Sequence, residues 1–443
     1  MKYQEFLDYI YKRHSGNVKL GLDRMFAILE EMGNPNKKLN GIHIAGTNGK
    51  GSTAAMCETL SLGFGLKTGM NTSPHLVDYR ERIRVNGKNI SLETLIEIYQ
   101  KWELVLEKHE ASFFEITTAM AFYHFLTNQI DTAIFEVGLG GRLDGTNPFE
   151  STVTAITSIS YDHPKSLGDS VEKIAYEKAG IIKENTPIVI GKMDVKYAEI
   201  IKNVAKKKNA QVYQFGKNFK VENISITEKG TTFDYLSDDL NLPQITINLI
   251  GKHQAYNASV AITAFKLFVR NLGIKDCNLE FETKFRTALK KVNWMGRMQI
   301  IATKPTVILD GAHNEEGIKA LTSNLKKLFP NKKIYFVLAI LRDKKLDTII
   351  KNICEISHKI FIAKNQSARA AEIDEQTKFV TKYGGSYEIV ADVVDAKNRA
   401  VTEANKNDIV IVSGSLYTIS EILKKNNLWQ KNNEFIFLKM LET

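Results

Sequence analysis

A glycine-rich stretch near residue 50 has the residue types and spacing of a phosphate-binding loop. It follows the apolar segment Ile-His-Ile-Ala and precedes a helix-forming sequence that starts at Thr53. In such a loop, backbone N–H groups and a helix N-terminus face an anion, a lysine adds positive charge, and a hydroxyl can bind Mg²⁺. The spacing departs from the common pattern because a glycine separates the lysine from the serine. A glycine turn that only caps a helix is the alternative. The residues concerned are Gly46, Thr47, Asn48, Gly49, Lys50, Gly51 and Ser52.

Three more candidate residues lie in the first half of the chain, after or between predicted elements. Glu136 ends an apolar strand, at the edge of a sheet where ligands collect. Phosphate-loop enzymes place an acid there to bind Mg²⁺, whereas a carboxylate facing water is the alternative. His163 follows the strand Val-Thr-Ala-Ile-Thr-Ser-Ile-Ser and is a candidate metal ligand. Lys178 lies near the end of the next helix, and this position alone predicts a solvent-exposed residue that favours the helix dipole.

The second half of the chain offers one acid and one arginine. Asp310 ends the predicted strand Val-Ile-Leu and precedes a turn and a helix. An acid in this place can bind a ribose hydroxyl, and turn formation with helix capping is an equally good explanation. Arg297 lies where the strands of the second half begin, and its guanidinium is suited to binding a phosphate.

These residues need strands and helices that bring them to the edge of a sheet. Two helices are predicted first, at 3–14 and 21–32. Strands alternating with helices then indicate a parallel sheet covered on both faces, at 41–45, 67–71, 132–137, 153–159 and 187–190. Residues 211–250 have the pattern of strands and hairpins, which predicts a small antiparallel appendage. Five more strands, alternating with four helices, predict a complete doubly wound domain, at 306–310, 333–339, 359–363, 387–390 and 408–412.

The composition narrows the class of protein. The 443 residues suffice for two or three domains, and the 43% hydrophobic and 25% charged fractions are typical of globular proteins. Three separated cysteines exclude a disulfide scaffold and a cysteine-based zinc site, and they fit a reducing compartment. The longest apolar run has about eight residues, far fewer than the ~20 of a membrane helix. The charge of +10 is spread along the chain. We therefore expect a cytoplasmic protein that binds neither nucleic acid nor membrane.

Together these stretches resemble the folylpolyglutamate synthase/dihydrofolate synthase family, a branch of the Mur-type ATP-dependent amide ligases. The resemblance extends in order from residue 43 to residue 417, and the extra glycine of the phosphate loop is this family's own variant. The stretches that carry it are HIAGTNGKGS (43–52), TSPHL (72–76), ERIRVNG (81–87), FFEITTAMAF (113–122), FEVGLGGRLDGTN (135–147), SISYDHPKSLG (158–168), EKAGIIK (177–183), GKHQAYNASVA (251–261), WMGRMQ (294–299), ILDGAHN (308–314) and SGSLY (413–417).

The resemblance implies an α/β protein with two domains. Residues 1–296 would form a Mur-ligase-like P-loop ATPase domain with a mostly parallel sheet and the small antiparallel appendage. Residues 297–443 would form a Rossmann-like, doubly wound ligase domain. In the implied reaction, ATP phosphorylates the γ-carboxylate of a (tetrahydro)folate, the amino group of L-glutamate attacks the acyl phosphate, and phosphate leaves. Some family members also add glutamate to dihydropteroate, and the motifs do not separate the two activities.

The resemblance also implies roles for individual residues in binding ATP and metal. Residues 46–52 would bind the ATP phosphates, with Lys50 on the transferred group. The further ATP contacts would be Asn257 to adenine, Arg297 to a phosphate and Asp310 to the ribose. One Mg²⁺ would be bound by Ser52, Ser73 and Glu136, and a second by Glu136, His163 and Lys178. In the family, the lysine at the position of Lys178 is a carbamate, which reverses the expectation of an exposed residue. A monovalent cation is a further implied cofactor.

The implied partners are small molecules: a folate, L-glutamate and ATP, bound by a monomer. Ser73, Pro74 and His75 would line the pterin site, while His313 and Ser415 would bind the incoming glutamate.

Two other functions remain open. A ligase acting on a UDP-linked muramyl precursor would use the same loop and metals, but the TSPHL and EKAG stretches, and the absence of a recognisable UDP-binding domain before residue 40, favour a folate. A P-loop ATPase switch would leave the second domain unexplained.

Overall fold

The computed structural model describes residues 2–13, 21–274 and 279–425. The chain divides into two compact units. The first contains most of the chain up to residue 293, and the second contains residues 294–443 together with the short segments 226–231 and 249–252. None of the helices in the described ranges combines the length and the apolar character that spanning a bilayer requires.

The first unit is built on an eight-stranded sheet with the order β4-β3-β2-β5-β1-β6-β7-β8. Its strands are β1 (Gly41–Ala45), β2 (Thr68–Asn71), β3 (Ile83–Val85), β4 (Lys88–Asn89), β5 (Thr132–Glu136), β6 (Val153–Ile156), β7 (Ile188–Ile190) and β8 (Val212–Gln214). The neighbours from β2 through β5, β1, β6 and β7 to β8 are parallel, whereas β3 is antiparallel to both β2 and β4. Every residue of β1, β2, β5, β6 and β7 is buried, as expected for a parallel sheet covered on both faces.

Helices cover this sheet and connect its strands. They are α1 (Tyr3–Lys12), α2 (Asp23–Glu31), α3 (Lys50–Gly63), α4 (Leu92–Lys108), α5 (Phe113–Thr127), α6 (Pro164–Leu167), α7 (Val171–Ala179), α8 (Val195–Lys207), α9 (Lys252–Asn271) and α10 (Leu279–Leu289), with short 3₁₀ helices at Pro35–Lys37 and Tyr79–Arg82. Helix α5 begins with a capping box formed by Ser112 and Glu115. Its Phe122 stacks on Phe135 of β5 at 4.2 Å between ring centroids, which fixes this helix on the sheet.

The strand at residues 212–214 corrects the predicted appendage. Instead of joining an antiparallel unit, β8 extends the main sheet as the parallel neighbour of β7. Three later strands form a separate sheet in the order β11-β10-β9, with β9 (Phe219–Thr227), β10 (Gly230–Ser237) and β11 (Asn241–Ile247). Connections this short can only join antiparallel neighbours, so the appendage consists of these three strands.

The second unit contains a six-stranded sheet with the order β12-β13-β17-β14-β15-β16. Its elements are β12 (Gln299–Thr303), β13 (Thr306–Leu309), α11 (Glu315–Leu328), β14 (Ile334–Leu338), α12 (Leu346–Cys354), β15 (Lys359–Ile362), α13 (Ile373–Lys382), β16 (Tyr387–Ile389), α14 (Val393–Glu403), β17 (Ile409–Ser413) and α15 (Leu416–Lys425). The five predicted strands are present and parallel. The sequence-based prediction missed the antiparallel edge strand β12 and the helix α15. No residue of β12 is buried, so its sequence lacks the apolar run of the other strands.

Candidate active site

The predicted phosphate-binding loop joins the buried strand β1 to helix α3. Gly46 and Gly49 have φ angles of 147° and 90°, in the left-handed region that glycine adopts most easily. A Cβ atom on Gly46 would lie 2.0 Å from Oγ1 of Thr157, and one on Gly49 would lie 2.2 Å from Oδ1 of Asn257. Both glycines are therefore required by close approach as well as by backbone conformation. Asn257, on α9, is thereby brought against the loop.

The segment that follows β6 holds this loop in place. The backbone N–H of Thr47 donates to the carbonyl of Ser158 at 2.9 Å, and that of Asn48 donates to the Ser158 hydroxyl at 3.0 Å. Oγ1 of Thr157 donates to the carbonyl of Asn48 at 2.6 Å. Because the N–H groups of residues 47 and 48 are used within the protein, we expect an anion to be bound by the N–H groups from residue 49 onward, where α3 leaves its first donors without intrahelical partners.

Two lysine side chains meet at one carbonyl of the loop. Nζ of Lys50 donates to the carbonyl of Gly46 at 3.0 Å, and Nζ of Lys178 donates to the same oxygen at 2.9 Å. Lys178 is only 5% exposed, so the prediction of a solvent-exposed residue, made from its position in α7 alone, is wrong. Burial, and then the charge of Lys50, lower the pKa of Lys178 to about 7, although Asp162 and Asp144 act in the opposite direction. Lys50 thus brings a positive charge to this point of the loop, while burial beside Lys50 favours the neutral amine of Lys178.

Glu136 lies beside the loop because of strand register. In the parallel pair formed by β1 and β5, Ile44 is opposite Glu136, so β5 ends next to the start of the loop. The Glu136 carboxylate is 5% exposed, and its Oε2 accepts the backbone N–H of Ser73 at 3.1 Å. Ser52, in the first turn of α3, has a buried hydroxyl without a hydrogen-bond partner among the described residues. The predicted metal residues Ser52, Ser73 and Glu136 thus include one unpaired hydroxyl and one buried carboxylate.

The fit of this set to Mg²⁺ follows from its chemistry. No group of three or more His, Cys, Asp or Glu side chains suited to a metal occurs in the described ranges. Mg²⁺ in nucleotide sites is usually bound by one or two carboxylates, hydroxyls, waters and the phosphates themselves, so a complete protein cage is not required. The residues therefore fit an ion that arrives with a nucleotide.

His163 occupies a different structural context from the one predicted. The strand β6 ends at Ile156, so His163 follows a loop, and it precedes the short helix α6 with a left-handed φ of 51°. Its Nε2 is 3.6 Å from Oδ2 of Asp162, and its side chain is 40% exposed. The imidazole therefore remains accessible to a ligand.

The predicted pterin-site residues lie in the loop that connects β2 to β3. After Ser73 and Pro74, both ring nitrogens of His75 have polar partners. Its Nδ1 accepts Nε–H of Arg82 at 2.7 Å, and its Nε2 is 3.3 Å from the hydroxyl of Tyr11. These contacts fix the orientation of the ring and its tautomer, since the nitrogen facing the guanidinium must be unprotonated.

The second unit brings Arg297 and Asp310 together. A Cβ atom on Gly311 would lie 2.6 Å from a guanidinium nitrogen of Arg297. Burial raises the pKa of Asp310, and the charge of Arg297 opposes this shift. Both Asp310 oxygens accept backbone N–H groups at 2.8 Å, from Met298 and Ala312. Asp310 thus has the turn-forming role that the sequence left open, while the pair still presents a cation beside a buried acid.

The two predicted glutamate-binding residues have partners inside the second unit. The ring Nδ1 of His313 is 2.8 Å from the carbonyl of Gly311. Ser415 is 1% exposed, and its hydroxyl accepts the backbone N–H of Thr418 at 3.1 Å, at the start of α15. The Ser415 hydroxyl also lies 2.8 Å from Oγ1 of Thr418 and 3.3 Å from Nδ2 of Asn365. This pattern gives Ser415 a helix-capping role.

Sequence reasoning missed the residues that support the loop and one buried acid. Thr157 and Ser158 bind Asn48, and the hydroxyl-rich stretch Thr-Ser-Ile-Ser after a buried strand was the available signal. Asp144 is 5% exposed and influences Lys178 electrostatically. Burial raises the pKa of Asp144, whereas hydrogen bonds from Thr146 and the backbone lower it.

Comparison with known proteins agrees with this geometry. The Mur ligase middle domain matches residues 44–265, and the Mur ligase glutamate ligase domain matches residues 296–416. The dihydrofolate synthase/folylpolyglutamate synthase of Bacillus subtilis is 35% identical over 433 residues, which cover 96% of this chain and 99% of that protein. The chain belongs to the folylpolyglutamate synthase/dihydrofolate synthase family. The family resemblance and the α/β fold class expected from the sequence are thereby confirmed.

Solved structures of folylpolyglutamate synthases extend the similarity to three dimensions. The Mycobacterium tuberculosis folylpolyglutamate synthase complexed with ADP superposes with a TM-score of 0.89 and is 29% identical. The superposition covers 95% of this chain and 97% of that chain. A bifunctional folylpolyglutamate synthase/dihydrofolate synthase with Mn, AMPPNP and L-glutamate bound has a TM-score of 0.85 and 28% identity, with 96% of this chain and 98% of that chain covered. Members of the family thus bind a nucleotide, a divalent metal and glutamate on this fold.

Proposed function

We propose that this protein is an ATP-dependent amide ligase that adds L-glutamate to the γ-carboxylate of a tetrahydrofolate, forming folylpolyglutamates. The strongest support from the chain itself is the pair of lysines that meet at the Gly46 carbonyl, beside the buried carboxylate of Glu136. The names of the relatives support the same reaction. Glutamylation of dihydropteroate to dihydrofolate is proposed as a second activity, since relatives are named for both.

The reaction needs activation because a carboxylate is a poor electrophile. Transfer of the γ-phosphoryl group to a carboxylate oxygen gives an acyl phosphate and ADP. The glutamate amine then attacks the acyl carbon, and the tetrahedral intermediate expels phosphate, so that one ATP gives one amide, ADP and phosphate. In this scheme Lys50 and the backbone N–H groups at the start of α3 stabilise negative charge on the transferred group.

The proposed nucleotide and metal sites use the residues described above. Bound Mg²⁺ would neutralise phosphate charge. Ser52, Ser73 and Glu136 would bind one ion, and Glu136, His163 and Lys178 a second. A monovalent cation is proposed as an additional cofactor. The remaining proposed contacts are Asn257, Arg297 and Asp310 for ATP, Ser73, Pro74 and His75 for the pterin, and His313 and Ser415 for glutamate. We also propose that residues 1–296 and residues 297–443 form the two domains. The protein would be a cytoplasmic monomer.

Lys178 is proposed to act as a carbamate. The neutral amine attacks CO₂, a C–N bond forms, one proton is released, and the product carries anionic oxygens that can bind a metal. Burial and the neighbouring Lys50 favour the neutral amine that this reaction requires. We expect Lys178→Ala to lose activity and ¹³C-bicarbonate to label the parent protein but not the variant. Near-parental turnover by Lys178→Ala would discard the carbamate role.

The decisive experiment supplies ATP, Mg²⁺ and labelled glutamate, together with either dihydropteroate or tetrahydrofolate, and identifies products by mass. We expect ADP release to depend on a folate substrate and each product to gain glutamyl units. ADP release without any folate would favour an ATPase switch, and release dependent on a UDP-muramyl acceptor would favour a cell-wall ligase.

A further inference from the structure

The segment that follows β6 carries three hydroxyl groups near the phosphate-binding loop, on Thr157, Ser158 and Ser160. Two of them are used to hold the loop. Thr157 Oγ1 donates to the Asn48 carbonyl at 2.6 Å, and the Ser158 hydroxyl accepts the Asn48 N–H at 3.0 Å and lies 3.1 Å from its carbonyl. Ser160 differs from both, because its hydroxyl makes no such contact.

The position of Ser160 is nevertheless fixed by the loop. Its backbone N–H donates to Oγ1 of Thr47 at 3.0 Å, and its carbonyl accepts the hydroxyl of Thr47 at 3.1 Å. The Ser160 hydroxyl is buried, and it has no hydrogen-bond partner in the described part of the chain. A buried hydroxyl without a partner opposes folding because it has lost its bond to water. Because Ser160 is held against the binding loop, a ligand bound in that loop would supply the missing partner.

We propose that the Ser160 hydroxyl donates a hydrogen bond to a phosphate oxygen of the bound nucleoside triphosphate. The proposal rests on the proposed function, since it requires the phosphates to occupy the loop at residues 46–52. Ser52 supports this assignment, because its hydroxyl is also buried and unpaired in the described ranges, on the helix side of the same loop. Ser160 would then bind the phosphates from the strand side.

A matched control exists at the opposite end of the same strand. Ser151 precedes β6, is 4% exposed, and also has an unpaired buried hydroxyl within the described residues. Ligands of parallel sheets bind at the carboxyl ends of the strands, where Ser160 lies, and not at the amino ends, where Ser151 lies. Both hydroxyl groups are therefore buried and unpaired among the described residues, although Ser160 as a whole is half-buried, and the two serines lie at opposite ends of the strand.

The test measures nucleotide affinity of the full chain by calorimetry, with MgADP and MgAMPPNP as probes. Ser160→Ala should bind at least one probe about tenfold or more weakly, as expected for loss of a bond to a charged group, whereas Ser151→Ala should stay within about twofold of the parent. Loss with both probes supports a contact to the inner phosphates, and loss with MgAMPPNP alone supports a contact to the terminal phosphate.

A second measurement separates binding from a structural role. The nucleotide-free melting temperature of Ser160→Ala should equal or exceed that of the parent, because an unpaired buried hydroxyl has been removed, and its rise on adding nucleotide should be smaller. Parental affinity in Ser160→Ala, with weakened binding in Ser52→Ala, would overturn the Ser160 contact alone. Parental affinity in both variants and in Lys50→Ala would instead overturn the proposed nucleotide site.

Discussion

Replacement of Gly49 by alanine tests whether the phosphate-binding loop is shaped by its contact with α9. Gly49 has a left-handed backbone with φ of 90°, and an added Cβ would lie 2.2 Å from Oδ1 of Asn257. Gly65, just after α3, has a similar φ of 77° but nothing within 4 Å of an added Cβ. Gly65→Ala therefore measures the backbone penalty alone, and Gly49→Ala measures the penalty together with the clash.

The two substitutions should differ in size. A left-handed alanine costs about 1–2 kcal/mol, and about 1 kcal/mol lowers the melting temperature of a large domain by roughly 2 °C. Gly65→Ala should thus lower the melting temperature by about 2–4 °C. In Gly49→Ala, Asn257 must also move and give up its 3.0 Å hydrogen bond to Oε1 of Gln254. This loss adds about 1 kcal/mol or more, for a total decrease of roughly 4–6 °C or more.

Thermal unfolding and MgADP titration together test whether the contact with Asn257 shapes the phosphate-binding loop. Gly65→Ala should bind MgADP like the parent, while Gly49→Ala should bind it at least about tenfold more weakly, because the displaced loop no longer presents its N–H groups. In an Asn257→Ala background, the extra loss of melting temperature caused by Gly49→Ala should disappear in the ligand-free protein. Equal effects of the two alanine substitutions on both measurements would refute the reasoning.

Three other substitutions test separate parts of the first unit. Glu136→Gln removes one negative charge, so the Mg²⁺ concentration for half-maximal activity should rise about tenfold or more, and an unchanged Mg²⁺ dependence would exclude a metal role. Glu58→Gln breaks a buried 3.0 Å ion pair with Arg84. It should lower the free energy of unfolding by about 3 kcal/mol, seen as a melting temperature lower by roughly 6 °C. A double replacement of Glu58 by Leu and Arg84 by Met should lower the free energy of unfolding by less. Burial raises the pKa of Asp239, but pairing with Lys266 and other groups outweighs it and lowers this pKa to about 2. This contribution to stability is present above the ordinary carboxyl pKa and is lost as the pH falls toward 2, so Asp239→Asn should flatten the decrease in melting temperature between pH 4 and 2, and parallel curves would contradict the assignment.

Much of the fold could be predicted because its signals are local. Apolar runs of five or so residues with glycine-rich ends identified the central strands, and periodic apolar residues identified helices such as α5. The predictions failed where pairing depends on distant residues. Residues 212–214 have the same strand pattern as their hairpin neighbours, and only the available edge of β7 decides that they join the parallel sheet. The strand β12 has no buried residue to produce an apolar signal.

The order and types of residues along the chain by themselves determined the strand–loop–helix unit at residues 41–63, because glycines, a lysine and a hydroxyl after an apolar strand satisfy purely local geometry. The tertiary structure decided the electrostatic environment. It buries Lys178 at the carbonyl that Lys50 also contacts, although 128 positions separate the two lysines in sequence, and strand register sets Glu136 opposite Ile44. Burial and charge proximity depend on which distant segments pack together, so the lowered pKa of Lys178 and the support of the loop by Thr157 and Ser158 arise only once the sheet has formed.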